Sequence, residues 1–477
     1  MNDVEVVQPG SFSTEENFYP RVPNARLNSL VRMFLRMGNA RIAMRYCHLH
    51  PEADPDAVHK LLATPTRWLR WAGADLFHVT DDKGVRRNVV IETNSSPSGQ
   101  KSMPLLDDHE EQGGYRTLLQ RTLLPILKRR SLPPGALAVL WDKNEMEVRG
   151  YAQAMADLTG EDVLLAKMAA DAEDPVTRFD DGVLMIRGSA GWTPVRAAFR
   201  YVTQKPWTRI PAFTKTALLN PIVACLAGGR NKLLAAKAYD LFNAEMSTSG
   251  LKISYPETIW DVGLMEVPLW VARMGGVAVV KNPYSNAGQG VFTITSPTEL
   301  NDFMSTEHPY ERFILQGLIG NFGWTSQSRS GRLYHVGTVP DSRGRIFAAD
   351  LRFMVAVEPE GFYPIALYAR RAREPLAPML DETTPSSWDM LGTNLSVKTD
   401  DGGFATEPDR LMLMDERDFN RLGFGLDDLT EAYLQTVMSV HAIDQMASRL
   451  LTQKGRFRRR FFQTINPDPA LLNEIPE

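Results

Sequence analysis

Glu92 and Asn94 stand two residues apart at the end of an apolar run, Val89-Val90-Ile91, and Ser95-Ser96-Pro97-Ser98-Gly99 follows them. Successive β-branched residues predict a strand, and the Ser/Pro/Gly sequel stops it in a loop. Side chains alternate faces along a strand, so Glu92 and Asn94 project the same way. A carboxylate beside an amide carbonyl offers only oxygen. That is the donor set of a hard cation, and magnesium commonly combines one or two carboxylates with waters and phosphate oxygens. A third acid precedes them. Residues 74–80 read as a strand, Asp81-Asp82-Lys83-Gly84 is turn chemistry, and the return through 85–92 brings Asp75 near Glu92, directly opposite it if the turn is Lys83-Gly84. Facing carboxylates repel unless a cation lies between them. Alone, Asp75 reads as an ordinary acid of a solvated hairpin; with Glu-x-Asn and the serine loop, Asp75, Glu92 and Asn94 form a candidate magnesium site. Ser-Gly-Gln-Lys-Ser at 98–102 is not a Walker A loop, because Asn94 and Gln100 stand where glycine and lysine are required.

A second group suits phosphate. Lys281 ends a predicted strand at 277–280, and the loop after it carries Gly288 and Gly290. An ammonium meets phosphate as a point charge, while glycine lets backbone N–H groups approach an anion closely. Asp350 and Arg352 share one strand face and read equally as a surface pair. In Tyr368-Ala369-Arg370-Arg371-Ala372-Arg373, Arg371 or Arg373 suits a bidentate clamp on a carboxylate substrate, or a structural ion pair. No serine, cysteine or histidine has a recognisable nucleophile setting, and the histidines lack metal-ligand spacing.

The elements that position these groups fall into a succession of units. An irregular lead-in and amphipathic helices over 27–48 and 54–63 precede the hairpin, and a helix spans 113–130. Beyond Pro133-Pro134-Gly135, a strand at 136–141, a helix at 145–159 and strands at 162–167 and 183–187 predict a small α/β unit with a parallel sheet. Helices close the chain, chiefly over 427–452. In 477 residues, 43% apolar and 23% charged, there is room for two to four units of ordinary globular composition. A net charge of -4 argues against a nucleic-acid binder. Two distant cysteines, no signal-like N-terminus and no long apolar run point to a cytoplasmic protein without membrane spans.

Asp75, the turn, and Val-Val-Ile-Glu92-Thr-Asn94-Ser-Ser-Pro97-Ser-Gly99 ending in Ser102-Met103-Pro104 together resemble the metal-binding strand pair of ATP-grasp ligases, closest to D-alanine:D-alanine ligase and the tubulin tyrosine ligase family. There the segment lies near the C-terminus; here it comes first, and no second Glu-x-Asn follows Lys398. The resemblance implies a circularly permuted ATP-grasp protein of α/β (α+β) class. Its parts would be an N-terminal helical segment (1–73), metal-binding strands with a helix (74–130), a Rossmann-like pre-grasp domain (135–228), a small nucleotide lobe (229–312), a central lobe (313–415) and a helical C-terminal segment (416–477).

The resemblance further implies ATP and Mg2+ as cofactors. Lys232, Lys281, Gly288 and Gly290 would meet phosphate, Gln316 and Leu318 would lie at the adenine hinge, and Asp350, Arg352 and Asn394 match further motifs. Asn231 replaces the family's acid before Lys232, and Leu391-Gly392 replaces His-Leu before Thr393-Asn394. The implied activity is amide-bond formation between carboxylate and amine substrates, small molecules or peptides, through an acylphosphate, with Arg352 and Arg373 as catalytic groups and a homodimer as a possible assembly. A nucleotide-binding scaffold and a carboxylate-activating enzyme with a non-amine acceptor share these features.

Overall fold

The computed structural model describes the chain except for residues 1–2, 129–130, 171, 204, 206, 286–289, 382–384, 399–403 and 475–477. It is a mixed α/β protein with several sheets, the class expected from the sequence. The sheet that carries the acids is antiparallel: Leu333–His335, Trp71–Asp81, Ala349–Glu358, Gly361–Arg371 and Leu411–Met412 lie in that order, and Arg86–Ser95 also pairs with Trp71–Asp81. The early hairpin therefore shares a sheet with strands some 277 residues further along the chain.

Within the hairpin, Thr80 faces Arg86, and a bulge between Asp75 and Leu76 shifts the register so that Asp75 faces Glu92. The two acids are opposite, as expected, but the bulge rather than a two-residue turn puts them there. One extra residue on a bulged strand displaces every later partner by one.

The back of the hairpin rests on the 25-residue helix Leu426–Leu450, which is buried on nearly every side. An all-round buried helix is a core element rather than a surface one. Ser439 Oγ accepts from Thr93 Oγ1 at 2.9 Å, and the Asp444 carboxylate accepts from the backbone N–H groups of Arg67, Trp68 and Leu69 at 3.1, 2.6 and 2.9 Å. These bonds fix the entry of the first acid-bearing strand.

The predicted α/β unit forms around Ala136–Trp141, helix Glu145–Thr159 and Val163–Lys167. Ala136–Trp141 is parallel to both Val163–Lys167 and Gly191–Tyr201, but an antiparallel hairpin, Thr177–Asp180 and Val183–Gly188, extends the sheet on one side. Val4–Val7, from the segment expected to be helical, pairs antiparallel at the other edge. A four-stranded antiparallel sheet, Thr258–Gly263, Arg312–Gln316, Ala278–Lys281 and Val291–Ile294, has its own core. Among the described residues no helix is long and apolar enough to cross a membrane.

Candidate active site

The three sheets meet around a cavity of about 500 Å³. Of the residues singled out by sequence, Asp75, Glu92, Asn94, Lys232, Lys281, Gln316, Leu318, Asp350, Arg352 and Asn394 line it. Gly288 lies outside the described residues. Gly290, at φ +67°, is not among the lining residues; a Cβ there would come 2.4 Å from Asn282 Nδ2, so the close return of the loop requires glycine. Arg373 needs a correction. It stands beyond the strand Gly361–Arg371, paired with Glu407 at 2.9 Å and Asp389 at 3.5 Å, outside the cavity. Arg371 lies over the Phe347 ring instead. The arginine that reaches the cavity from this strand is Arg370.

Arg370 and Arg352 form a four-membered ion network with Asp75 and Asp350. Arg352 faces Asp75 across two strands and grips it bidentately, Nε to Oδ1 at 2.6 Å and Nη2 to Oδ2 at 2.7 Å. Arg370 faces Asp350, donates to it through Nε at 3.0 Å, and lies 3.0 Å from Asp75 Oδ2. Burial alone would raise the Asp75 pKa, but the two guanidiniums outweigh it and hold the carboxyl well below its usual range.

The other expected metal ligands also have cationic neighbours. Asn94 Oδ1 accepts from Arg230 Nη1 at 2.9 Å, and Lys232 Nζ lies 3.3 Å from Glu92 Oε1. Among the described residues no cluster of three or more His, Cys, Asp or Glu is placed to hold a metal. Asp75 and Asn94 thus already accept from guanidinium groups, so a magnesium ion shared by Asp75, Glu92 and Asn94 would have to sit beside Arg352, Arg370 and Arg230 or displace them. Glu92, with its one loose ion pair to Lys232, has the most ligand capacity left of the three.

Lys281 Nζ donates to Gln316 Oε1 at 2.7 Å, and Gln316 Nε2 donates to Thr258 Oγ1 at 2.9 Å, so Gln316 aims a lysine. The hinge backbone is engaged too: Leu318 N–H donates to Ser326 Oγ at 2.7 Å, and its carbonyl accepts from Ser326 N–H and Thr325 Oγ1 at 3.0 Å each. The expected adenine contacts would have to compete with these bonds. Asn231 caps the helix Lys232–Glu245 by accepting from Leu234 N–H at 3.2 Å, and its Nδ2 donates to the Leu226 carbonyl at 3.2 Å and to Asn466 Oδ1 at 3.3 Å, bonds an acid could not donate. Lys232 Nζ reaches the Ser285 carbonyl at 2.8 Å and its hydroxyl at 3.0 Å.

Burial, with Lys232 nearby, pulls the Lys281 pKa down to about 8 against the opposing pull of Glu92 and Asp75. Lys143, just beyond the strand Ala136–Trp141, is likewise pulled down to about 8, by burial and then by Arg230, with Arg352 adding to it against Asp142 and Glu92.

Sequence reasoning missed Lys101, Lys143, Arg230, Arg370, Tyr368 and Glu147. Glu147 is fully buried and accepts from the N–H groups of Gly99 and Gln100 at 2.7 and 2.8 Å, from Asn144 Nδ2 at 2.8 Å and from Ser98 Oγ, pinning the serine loop. Strand alternation from Arg352 and its partner Tyr368 was the available signal for Arg370. Arg230 adjoins the Asn231-Lys232 motif, but nothing in the sequence marks Glu147 or Lys143.

No protein-family model matches the chain, and no curated protein does. Similar solved structures include a glutathione synthetase-like effector from Globodera pallida, with 9% identity over 73% of this chain and 86% of the other and a TM-score of 0.38. A RimK domain ATP-grasp protein from Sphaerobacter thermophilus is 14% identical over 49% and 90%, with a TM-score of 0.28. D-alanyl-alanine synthetase A from Vibrio cholerae is 11% identical over 49% and 87%, with a TM-score of 0.31.

Proposed function

We propose that the protein is a circularly permuted ATP-grasp ligase that joins a carboxylate to an amine and releases ADP and phosphate. The observation that carries this reading is the charge of the cavity. With Arg352 and Arg370 matched by Asp75 and Asp350, the lining leaves Lys101, Lys143, Arg230, Lys232 and Lys281 around one carboxylate, Glu92. Enclosed charge of one sign favours a polyanionic ligand. Apolar lining from Phe77, Val279, Val291, Leu318 and Ile319 suits the flat ring of a nucleobase. The permutation is supported by the hairpin at 71–95 completing a sheet with strands at 349–371.

In this mechanism Lys232 and Lys281 neutralise the phosphates. A substrate carboxylate oxygen attacks the γ-phosphorus, the bond to the β–γ bridging oxygen breaks, and ADP leaves with the electron pair. Arg352, held by Asp75 and 3.5 Å from the Ser98 carbonyl through Nη1, stabilises charge on the transferring group. The amine nitrogen then attacks the acyl carbon, and phosphate departs with the amine's proton. No enzyme nucleophile is required.

A second reading, a nucleotide-binding protein without turnover, is favoured by the engaged oxygens of Asp75 and Asn94. ADP release from Mg·ATP, measured against pooled acids and amines, separates the two. Release that depends on both substrates and disappears in Glu92→Gln and Lys281→Ala supports the ligase; bound ATP with no ADP in any mixture supports the silent protein.

A further inference from the structure

The cations of the cavity differ in how they are held. Lys281 Nζ donates to Gln316, Lys232 Nζ to Ser285, Lys101 Nζ to Asn144 Oδ1, and Arg230 to Asn94 and two backbone carbonyls. Lys143 is held by nothing. Its ammonium has neither a hydrogen bond nor an ion pair among the described residues, and its Nζ opens onto the cavity rather than being sealed from it. Burial and then Arg230 disfavour its charge, and Arg352 adds to them. An ammonium without a partner in such surroundings is stabilised when an anion arrives.

The turn that carries Lys143 is built. Asn144 stands in the left-handed region at φ +64°, which asparagine tolerates. Its Oδ1 accepts from Lys101, and its Nδ2 reaches Glu147 Oε2 at 2.8 Å and the Tyr201 hydroxyl at 3.0 Å. One residue thus ties Lys101 and the turn of Lys143 to a single wall of the cavity. The charges that act on Lys281 come from Glu92, Lys232 and Asp75; those that act on Lys143 come from Arg230, Asp142, Arg352 and Glu92. Lys143 therefore adjoins Arg352, the group assigned to the transferring phosphoryl, rather than the two lysines assigned to the nucleotide.

A substrate ammonium finds no free carboxylate on this wall. Among the described residues Asp75, Glu92 and Asp350 are the acids that line the cavity. Asp75 is held by Arg352 and Arg370, Asp350 by Arg370, and Glu92 lies 3.3 Å from Lys232. Glu147 is sealed, with its oxygens taken by Ser98, Gly99, Gln100 and Asn144.

We propose that the acid substrate is a dicarboxylate without a free ammonium, one carboxylate lying beside Arg352 for phosphorylation and the other on Lys143, with Lys101 next to it. This rests on the ligase reading above and deepens it by naming the class of acid. A monocarboxylate would leave Lys143 unpaired, and an amino acid would set its own ammonium against two lysines.

The test is calorimetric titration of the full chain, saturated with a non-hydrolysable ATP analogue and Mg2+. The probes are succinate, glutarate and adipate, each beside its α-amino counterpart and the monocarboxylate of the same length, for the intact protein and Lys143→Met. The expected result is that at the best-fitting length the dicarboxylate binds about tenfold or more tightly than either counterpart, the size of one charge-assisted hydrogen bond. In Lys143→Met its advantage over the monocarboxylate falls to about threefold or less, while the Kd of the ATP analogue stays within about threefold. Removing a charge that has no partner breaks no contact, and a thermal melt checks that the variant is folded; the comparison of acids on the intact protein stands without it. The proposal is overturned if the amino acids bind as tightly as the dicarboxylates, if no dicarboxylate binds the nucleotide-loaded protein, or if Lys143→Met weakens the ATP analogue about tenfold, which would assign Lys143 to the phosphates. Failure of the intact protein to bind the analogue at all overturns the nucleotide reading, and this proposal with it.

Discussion

Lys281 holds an ammonium where burial disfavours it, and replacing it with methionine should make the protein more stable while weakening its grip on nucleotide. The pKa is pulled from 10.5 to about 8. At pH 7 the folded state therefore bears a cost of about 3 kcal/mol relative to an unperturbed lysine, at roughly 1.4 kcal/mol per unit. Methionine is close in length, carries no charge and tolerates irregular packing. Its cost is the bond to Gln316 Oε1, about 1–2 kcal/mol for a buried acceptor left unpaired. The balance is a gain of about 1–2 kcal/mol at pH 7 in urea unfolding.

The pH dependence gives the sign a second check. Between the folded and unfolded values the unfolded chain binds the proton and the folded one has lost it, so stability rises with pH, by about 2 kcal/mol from pH 7 to 9.5 for each such lysine. The intact protein should show this rise from both Lys281 and Lys143; Lys281→Met should show about half of it. Destabilisation by more than about 1 kcal/mol at pH 7, or a pH slope identical to that of the intact protein, would refute the reasoning.

Other consequences follow from the same contacts. Asp75→Asn leaves Arg352 and Arg370 sharing Asp350 and should cost about 3–5 kcal/mol by chemical denaturation. Because the Asp75 pKa is depressed, its contribution is present above pH 4 and lost as pH falls further, so the variant's acid-unfolding curve should be flatter there. Glu147→Ala removes the acceptor of two backbone and two side-chain donors and should cost about 3 kcal/mol, with faster proteolysis in the 97–104 loop as the local readout. Asp444→Ala uncaps three amides ahead of the acid-bearing strand and should lower stability by about 3 kcal/mol in the same urea assay.

The hairpin was legible because β-branched residues, turn chemistry and alternation are local signals. They placed Glu92 and Asn94 on one face and Asp75 across from Glu92. The bulge that sets the register was not legible, since it reflects how the strand meets its neighbours. Alternation also explains the error at Arg373: it reaches the cavity at Tyr368 and Arg370, but the strand ends at Arg371, and a period of two says nothing beyond the end of a strand. The cations at Asp75 and Asn94 were invisible because each comes from a distant segment. Arg230 in particular is seated by two backbone carbonyls, which no side-chain motif records. Lys143 sits in the turn after an ordinary strand and acquires its meaning only from the sheets that converge on it.

The central claim is that the cavity's surplus of cations binds a nucleotide polyphosphate. The most direct test is the thermal unfolding of the intact protein with ATP, ADP, AMP or adenosine, all at one concentration, about a hundredfold above the Kd for ATP. At that concentration ATP should stabilise it by about 2–3 kcal/mol, ADP by nearly as much, AMP by less and adenosine by least. Equal stabilisation by adenosine and ATP, or none by any of the four, would contradict the account.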